Sequence, residues 1–486
     1  MGLFLRLGSQ QSFHREFTML LKIFSKLLPT LRSREVRLVG FGLAATVALS
    51  AAPVQAQVEF APAQTFSVET TPRALAIGDI NGDGDLDLVT ANIGNNTLSA
   101  LLGGGDGTFA AARNFAAAGG TCAVATGDFD GDGDLDLAAA NRFADNISVL
   151  SGNGNGTFGA ARNYLVDGSF PTGVAAGDLD GDGDLDLVSA NRYSANISLF
   201  KNNGNGTFGI PRSLPLPAGP AEVIFADIDE DGDPDLVVAN IFSASVSVLL
   251  NDGKGTFAAA RNFAAAGGTS GVVVGDFNGD GDLDMAATSR IADKVSVMLG
   301  DGTGSFGPAQ NFVVGDYPVA IAMGDLDKDG DLDLITSNRR PASNVEVLIN
   351  NGSANFSATQ IFPAGGEGAT YIGVGDLDED GDLDVAVANG TASNVGVLLN
   401  TGDGTAAPSI ESIAPRSGSV GTEVTITGTG FTGATAVTFG GVSAEFTVVS
   451  GTQITAIVPA GAASGPIAVT TPAGTNTSTR RFRITS

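Results

Sequence analysis

From about residue 57 onward the apolar residues, mostly Val, Ile, Leu and Ala, fall in short runs, and each run is cut off by Gly, Asn or Asp. Short β-branched runs bounded by turn residues predict strands. Their order repeats. An apolar segment (ALAIGD, GVAAGD, GVVVGD) leads into an Asp-rich loop and a second segment (LDLVTAN, LDLVSAN), then a turn and a third (NISVL, VSVLL), then a turn such as GNGNG and a fourth beginning GTF. The Asp-rich loops begin at Asp79, Asp128, Asp178, Asp227, Asp276, Asp325 and Asp376, a period of 49 to 51 residues. Four short strands in such a period are the content of one propeller blade, and seven periods predict an all-β, seven-bladed β-propeller.

A ring of sheets must join its last blade to its first, or it keeps a raw edge. Fourth segments carry aromatic residues six apart: Phe109 and Phe115, Phe158 and Tyr164, Phe257 and Phe263, Phe306 and Phe312, Phe356 and Phe362, with Phe208 and Leu214 in the third unit. After the seventh loop the third segment GVLLN runs into TGDGTAAP, and no GTF segment follows. Phe60 and Phe66 show the same spacing at the other end, and Phe60 precedes Phe109 by 49 residues. The N-terminal segment is therefore expected to complete the seventh blade, which assigns 57–404 to the propeller and reads these rings as blade packing. After a linker at 405–408, residues 409–486 alternate strands with Gly/Pro turns, the pattern of a small β-sandwich.

Each loop reads D-x-[DN]-x-D-G-D-x-D. Positions 1, 3, 5, 7 and 9 are Asp79, Asn81, Asp83, Asp85 and Asp87 in the first unit and Asp128, Asp130, Asp132, Asp134 and Asp136 in the second. They are Asp178, Asp180, Asp182, Asp184 and Asp186 in the third, and Asp227, Asp229, Asp231, Asp233 and Asp235 in the fourth. The fifth has Asp276, Asn278, Asp280, Asp282 and Asp284, the sixth Asp325, Asp327, Asp329, Asp331 and Asp333, and the seventh Asp376, Asp378, Asp380, Asp382 and Asp384. Ca²⁺ takes about six to eight oxygens at ~2.3–2.6 Å from a tightly curled loop. Positions 1, 3, 5 and 9 supply side-chain oxygens. Gly at position 6 permits the sharp turn, and position 7 is expected to offer its carbonyl while its side chain stays in solvent.

An EF-hand is excluded, because position 12 is Thr90, Ala139, Ser189, Val238, Ala287, Thr336 or Val387 and never Glu. The loops hold 33 Asp carboxylates that repel one another without a cation. Up to seven Ca²⁺ are predicted, in preference to Mg²⁺, which wants six rigid ligands and keeps its water.

The net charge of −28 excludes nucleic acid and anionic membrane as partners of a basic patch. A basic stretch ending at Arg37, the apolar run LVGFGLAATVALS and small residues Val54 and Ala56 read as a secretory signal cleaved after Ala56, its apolar run too short to span a bilayer. Export is therefore expected, to a secreted or cell-surface location with no transmembrane segment in the mature chain. Cleavage at Ala56 leaves 18 basic and 51 acidic residues, a net charge of −33. It also removes His14, the only histidine, and with it any Ser-His-Asp, Cys-His or His-dependent zinc chemistry. Cys122 is the only cysteine, so no internal disulfide forms, and its place in an apolar segment reads as a buried thiol.

These loops resemble the FG-GAP (VCBS-type) repeats of integrin α-subunit propellers and many bacterial surface proteins, in all seven units. The resemblance implies calcium in the loop joining the first and second strands. PSIESIAPRSGSVGTEVTITGTGF, AVTFGG, TQITAIVPAG and GPIAVTTPAG resemble an IPT/TIG domain, which implies an immunoglobulin-like fold for 409–486. Strand order puts the calcium loops and GNGNG turns on one face and the second-to-third-strand loops on the other. Those second loops carry Arg142, Phe143, Arg192, Tyr193, Phe242, Arg290, Arg339 and Arg340. Arg beside aromatic rings suits carboxylate or sugar recognition, and the resemblance also places ligand contacts on this face. The expected function is binding or adhesion to a glycan or an extracellular or cell-surface protein, with structural calcium. The alternatives are a carboxylate-based polysaccharide lyase or glycosidase, since paired Asp can do acid/base work without His, and a surface scaffold.

Overall fold

The computed structural model describes residues 58–340, 343–356, 358–401, 408–431, 434–450, 453–471, 474–478 and 480–485. The leader assigned to 1–56 and the linker residues 405–407 lie outside them.

Each Asp-rich loop joins the first two strands of a four-stranded antiparallel sheet. In the first blade the strands are Pro72–Gly78, Asp87–Asn92, Thr97–Leu101 and Arg113–Ala116. Their order in the sheet follows the chain, and the same arrangement recurs through the sixth blade. The second strands are buried along their whole length, Asp136–Asn141 and Asp235–Asn240 among them, and the third strands nearly so. This explains why both read as continuous apolar runs, since each is covered on two faces by neighbouring blades.

The seventh sheet takes its fourth strand from the other end of the chain. Gln64–Ser67 pairs antiparallel with Asn394–Leu398, Gln64 opposite Val397 and Ser67 opposite Asn394, and Phe60 bridges to Asn400. The six-residue aromatic spacing has a geometric cause. The second ring of one blade meets the first ring of the next edge to face, as in Phe115–Phe158 at 5.1 Å, Phe263–Phe306 at 5.1 Å and Phe312–Phe356 at 5.4 Å. Phe362–Phe60 at 4.9 Å and Phe66–Phe109 at 5.2 Å carry this seam through the junction of the two chain ends. Leu214 takes the ring's place in the third blade and packs in the cluster that includes Phe257.

Blades are also stitched by polar groups where their first strands begin. Every first strand opens with a register shift, such as Pro72 to Ala74, which leaves one bulged residue per blade. Four of these donate to a carbonyl of the next blade: Cys122 to Pro171 at 3.4 Å, Thr172 to Ala221 at 3.0 Å, Ser270 to Val319 at 2.8 Å and Thr370 to Pro72 at 2.9 Å. Burial pushes the Cys122 thiol up, so it stays protonated as a structural donor.

Residues 409–485 form a separate pair of four-stranded sheets. One orders Ser409–Ala414, Glu423–Thr429, Gln453–Ile457 and Phe446–Ser450; the other orders Val442–Ser443, Ala436–Phe439, Ile467–Thr471 and Gly474–Thr477. Alternation supplies the core between them, with Val424, Ile426, Val437, Phe439, Ile454, Ile467 and Val469 fully buried.

Candidate functional site

The Asp-rich loops are curled around their own backbone N–H groups. Asp128 accepts from Gly131 at 2.7 Å and Gly133 at 2.9 Å, and Asp132 accepts from Asp134 at 2.9 Å. Position 6 has a left-handed backbone, φ +93° at Gly133, which glycine adopts at little cost. Asp136, buried at the head of the second strand, accepts from Phe129 at 2.8 Å and from Gly152, in the following turn, at 2.6 Å. The same bond reaches the residues just after the third strand in every blade, through the N–H of Gly103, Asn202, Asn251, Gly300, Asn350 and Asn400 in the other six. Position-2 carbonyls then accept from the turn of the next blade, as Phe129 does from Gly206 at 2.8 Å and Leu377 from Gly107 at 3.0 Å. A loop, its own turn and the next blade are thus one hydrogen-bonded unit.

The position-7 side chains differ from the expectation of solvent exposure. Asp134 is half-buried against Gly154, where a Cβ would stand 2.4 Å from its Oδ1, and Asp85, Asp184, Asp233, Asp282 and Asp331 lie against Gly105, Gly204, Gly253, Gly302 and Gly352 in the same way. The turn folds over the loop, and glycine is what admits the carboxylate there. Asp382 is buried and pairs with Lys328 from the loop of the preceding blade.

Positions 1, 3 and 9 converge. In five loops one carboxylate oxygen from each lies within 4.8 Å of the others: Asp128, Asp130 and Asp136; Asp178, Asp180 and Asp186; Asp227, Asp229 and Asp235; Asp325, Asp327 and Asp333; Asp376, Asp378 and Asp384. Positions 1 and 9 have N–H partners. Position 3 keeps one buried oxygen with none, Oδ1 of Asp130, Asp180, Asp229 and Asp378 and Oδ2 of Asp327. A buried carboxylate oxygen with no donor and two carboxylates beside it is strongly unfavourable unless a cation neutralises it. All-oxygen donors fit a hard dication, and these five clusters are able to hold one. In the third loop the Lys201 ammonium already lies against Asp180 and Asp182. The other two loops differ: Asn81 and Asn278 each donate to the position-5 carboxylate at 2.9 Å and accept its N–H at 2.9 Å, so the amide is satisfied within the loop.

Burial pushes the position-9 carboxyls up, to about 6 at Asp87, Asp136, Asp186, Asp235 and Asp284, about 7 at Asp384 and about 8 at Asp333. A bound dication favours the ionised form and reverses that preference.

On the opposite face the residues singled out in the sequence divide into two groups. Phe143, Tyr193 and Phe242 are 63%, 64% and 60% exposed, and Phe170, unnoticed in the sequence, joins them into one row. Phe143 meets Phe170 at 6.1 Å, Phe170 stacks on Tyr193 at 4.3 Å, and Tyr193 lies parallel to Phe242 at 6.4 Å. Arg142 lies over Phe143 at 4.7 Å and Phe170 at 5.4 Å. Arg339 and Arg340 are exposed, Arg340 over Tyr317 at 4.6 Å. Arg192 and Arg290 instead line a cavity inside the ring, and they and Arg142 are half-buried, each with a buried Nε that has no partner. Phe170 and Tyr317 stand just before a first strand with φ +60° and +61°, where Gly120, Gly219, Gly268 and Gly368 stand in other blades. A bulky residue in that region carries strain, which structures keep where the side chain has work to do.

With this geometry in hand, comparison with known proteins gives the family. Residues 79–139, 128–189, 178–238, 227–287, 285–336 and 337–387 match the FG-GAP-like repeat. The chain belongs to the FG-GAP-like repeat family. Residues 408–484 match the IPT/TIG domain. No curated protein matches. Among solved structures, BBS1N in its complex with ARL6DN has a TM-score of 0.51 at 13% identity, covering 71% of this chain and 98% of that one. A catalytically inactive virginiamycin B lyase from Staphylococcus aureus gives 0.48 at 15%, covering 70% and 99%. At these identities the likeness concerns the fold alone. FG-GAP-like repeats followed by a TIG domain make a binding-type, non-enzymatic arrangement, and among the described residues no helix is long and apolar enough to cross a membrane.

Inside this FG-GAP-like propeller, the position after each bulge is small in five blades, Ala74, Ala123, Gly173, Gly271 and Ala320, and large in two, Glu222 and Tyr371. These two meet across the channel. Tyr371 donates to Glu222 Oε1 at 2.9 Å, and the N–H of Val272 donates to Oε2 at 3.1 Å. Burial pushes the Glu222 carboxyl up to about 7, against the pull of those two donors and of the Arg290 charge. Because the folded value lies above the ordinary 4.5, the stability from Glu222 is fully present below about pH 4.5 and is lost as pH rises through about 7. Glu222→Gln can accept from Val272 and donate to Tyr371. It is expected to exceed wild type by about 2 kcal/mol at pH 8.5 and to lose that advantage by pH 4.5. Paired denaturant titrations in saturating Ca²⁺ measure the gap, and a gap independent of pH would contradict the assignment.

Proposed function

We propose that this protein is an exported binding module that holds a glycan or an extracellular surface protein on the face opposite its Asp-rich loops, with Ca²⁺ in those loops serving structure. The observation that carries this reading is the exposed row Phe143, Phe170, Tyr193 and Phe242, bordered by Arg142 and spanning three adjacent blades. Exposed stacked rings are costly to leave in water and well suited to lie against the apolar faces of sugars or against a protein hot spot. The Asp-rich loops contribute nothing to that face except rigidity, through the bonds that tie each loop to the next blade. Up to seven ions is the upper count. Five loops have the carboxylate trio, and those containing Asn81 and Asn278 are the weaker candidates.

A glycan array and a panel of extracellular proteins, probed with Ca²⁺-saturated protein, test the reading. Substituting Tyr193 and Phe242 by Ala is expected to weaken any ligand found by at least about tenfold, the scale of losing one stacked aromatic contact. Ligand binding unaffected by both substitutions would place the site elsewhere.

A further inference from the structure

The central channel contains a cavity of about 370 Å³ that the aromatic row does not account for. Its lining includes Arg73 at the bulge of the first blade, Arg192 and Arg290 from the second-to-third-strand loops of the third and fifth, and Glu222 with Tyr371. Counted along the strand from Cys122 to Thr126, it runs about 13 Å down the channel. That volume is in the range of small-molecule sites, about 300–1,000 Å³.

Three guanidiniums face one carboxylate here, inside a chain with a large negative charge. Among the described residues none of the three makes an ion pair, although the chain has about twice as many acidic as basic residues. The Nε atoms of Arg192 and Arg290 are buried without a partner. Burial holds the Arg192 guanidinium down at about 10, with the charges of Arg290 and Arg73 adding to the effect, and Arg290 is lowered by burial and by Arg73 against the pull of Tyr317, whose side chain it contacts. Like charges gathered in a half-buried space, with acidic groups plentiful but placed elsewhere, leave an anion as the missing partner. The hydroxyls of Thr172, Ser270 and Thr370 do not compete for it, because each is spent on the next blade's carbonyl.

We propose that the channel mouth is an oxyanion site for an acidic sugar, whose charged substituent is held by Arg73, Arg192 and Arg290. The sugar part of this assignment rests on the proposed reading of the aromatic row, since Tyr193 of the row is the chain neighbour of Arg192. Arg192 is the hinge between the two surfaces: its own charge serves the channel and the next ring serves the outer face. A neutral sugar would leave the three guanidiniums without an ion-pair partner, as they are now.

Calorimetric titration of the full mature chain in saturating Ca²⁺ tests this with four probes: galacturonate, galactose 6-sulfate, galactose and inorganic sulfate. Galacturonate or galactose 6-sulfate is expected to bind at least tenfold more tightly than galactose and than sulfate, the two acidic sugars telling carboxylate from sulfate ester. Arg192→Gln and Arg290→Gln are each expected to weaken that binding at least tenfold. Their melting temperatures are expected to equal or exceed that of wild type, because each removes an unpaired, half-buried charge. Should either variant misfold, Arg73→Gln, from a different element, carries the same expectation. Equal binding of all three sugars, no binding of any acidic probe, or sulfate binding as tightly as the acidic sugars would overturn the proposal. So would retention of binding in the variants. Tyr193→Ala with Phe242→Ala separates the two readings: loss of array binding with retained galacturonate binding upholds the channel site alone, and the converse upholds the aromatic row alone.

Discussion

Chelation by EDTA is expected to lower the melting temperature of the propeller by about 20 °C. A ligand present at a hundredfold excess over its dissociation constant stabilises the folded chain by ~2.7 kcal/mol per site, and five clusters together exceed ~10 kcal/mol, comparable to the whole stability of an ordinary domain. The loops transmit this directly. Position 9 holds its own turn and position 2 holds the next blade, as in Asp136 to Gly152 and Phe129 to Gly206, so a loop loosened by repulsion at position 3 loosens a blade seam. The pH arm distinguishes metal from a general effect of salt. Without metal, the position-9 carboxyls sit above their ordinary 3.8, so their stability is fully present below about pH 4 and is lost as pH rises through about 6 to 8. In EDTA the melting temperature should therefore rise on acidification from pH 8 to 5. In excess Ca²⁺, which requires the ionised form, that rise should vanish or reverse. The chain contains no Trp, so calorimetry or circular dichroism is the suitable readout. Identical melting curves with and without EDTA at pH 8 would remove calcium from the account of stability.

What the sequence discloses and what it hides follow one rule: features with the period of the repeat are visible, and features made by departures from it are not. Seven Asp-rich loops in phase display the blades and the oxygen donors. The Phe and Tyr residues six apart foreshadow the seam, because a contact repeated around a ring must leave the same residue type at the same place in each unit. Glu222 and Tyr371 meet although 149 residues separate them, and neither belongs to a local motif. Their signal was present only as a deviation, two large polar side chains where five other units have Ala or Gly. Phe170 and Tyr317 hid in the same manner, replacing glycine at left-handed positions. The second-to-third-strand loops gathered eight residues on one face, but their sequence does not say which turn inward. Arg192, Arg290 and Arg339 each directly follow a second strand, yet the first two line the channel and Arg339 lies in the open. Position 7 was misread for a similar reason. Its burial depends on the third-to-fourth-strand turn folding over it, and an isolated loop motif contains no trace of that turn.

Deleting residues 58–67 is expected to abolish folding of the propeller at 37 °C even in saturating Ca²⁺. This segment is the outer strand of the seventh blade, and without it the strand Asn394–Leu398 becomes a free edge with Val395 and Val397 facing it. The lost contacts are the buried Val58, the Phe60–Phe362 pair at 4.9 Å and the Phe66–Phe109 pair at 5.2 Å, which join the seventh blade to the sixth and to the first. Backbone bonds go with them: Ala61 to the carbonyl of Leu399 at 2.8 Å and Thr401 to that of Glu59 at 2.6 Å. Three apolar side chains at about 2 kcal/mol each already remove more than ~5 kcal/mol, before the strand's hydrogen bonds are counted. An exposed apolar edge also recruits other chains, so aggregation is the expected fate and soluble yield the first measurement. The decisive arm moves the deleted segment to follow Asn400, where the missing fourth strand would stand in the regular order of a blade. Closure by strand pairing requires only that the segment reach Asn394–Leu398, so this permuted chain should regain solubility and a cooperative melt. A truncated chain that melts like the full one would show that calcium and the six intact blades close the ring without the chain's two ends.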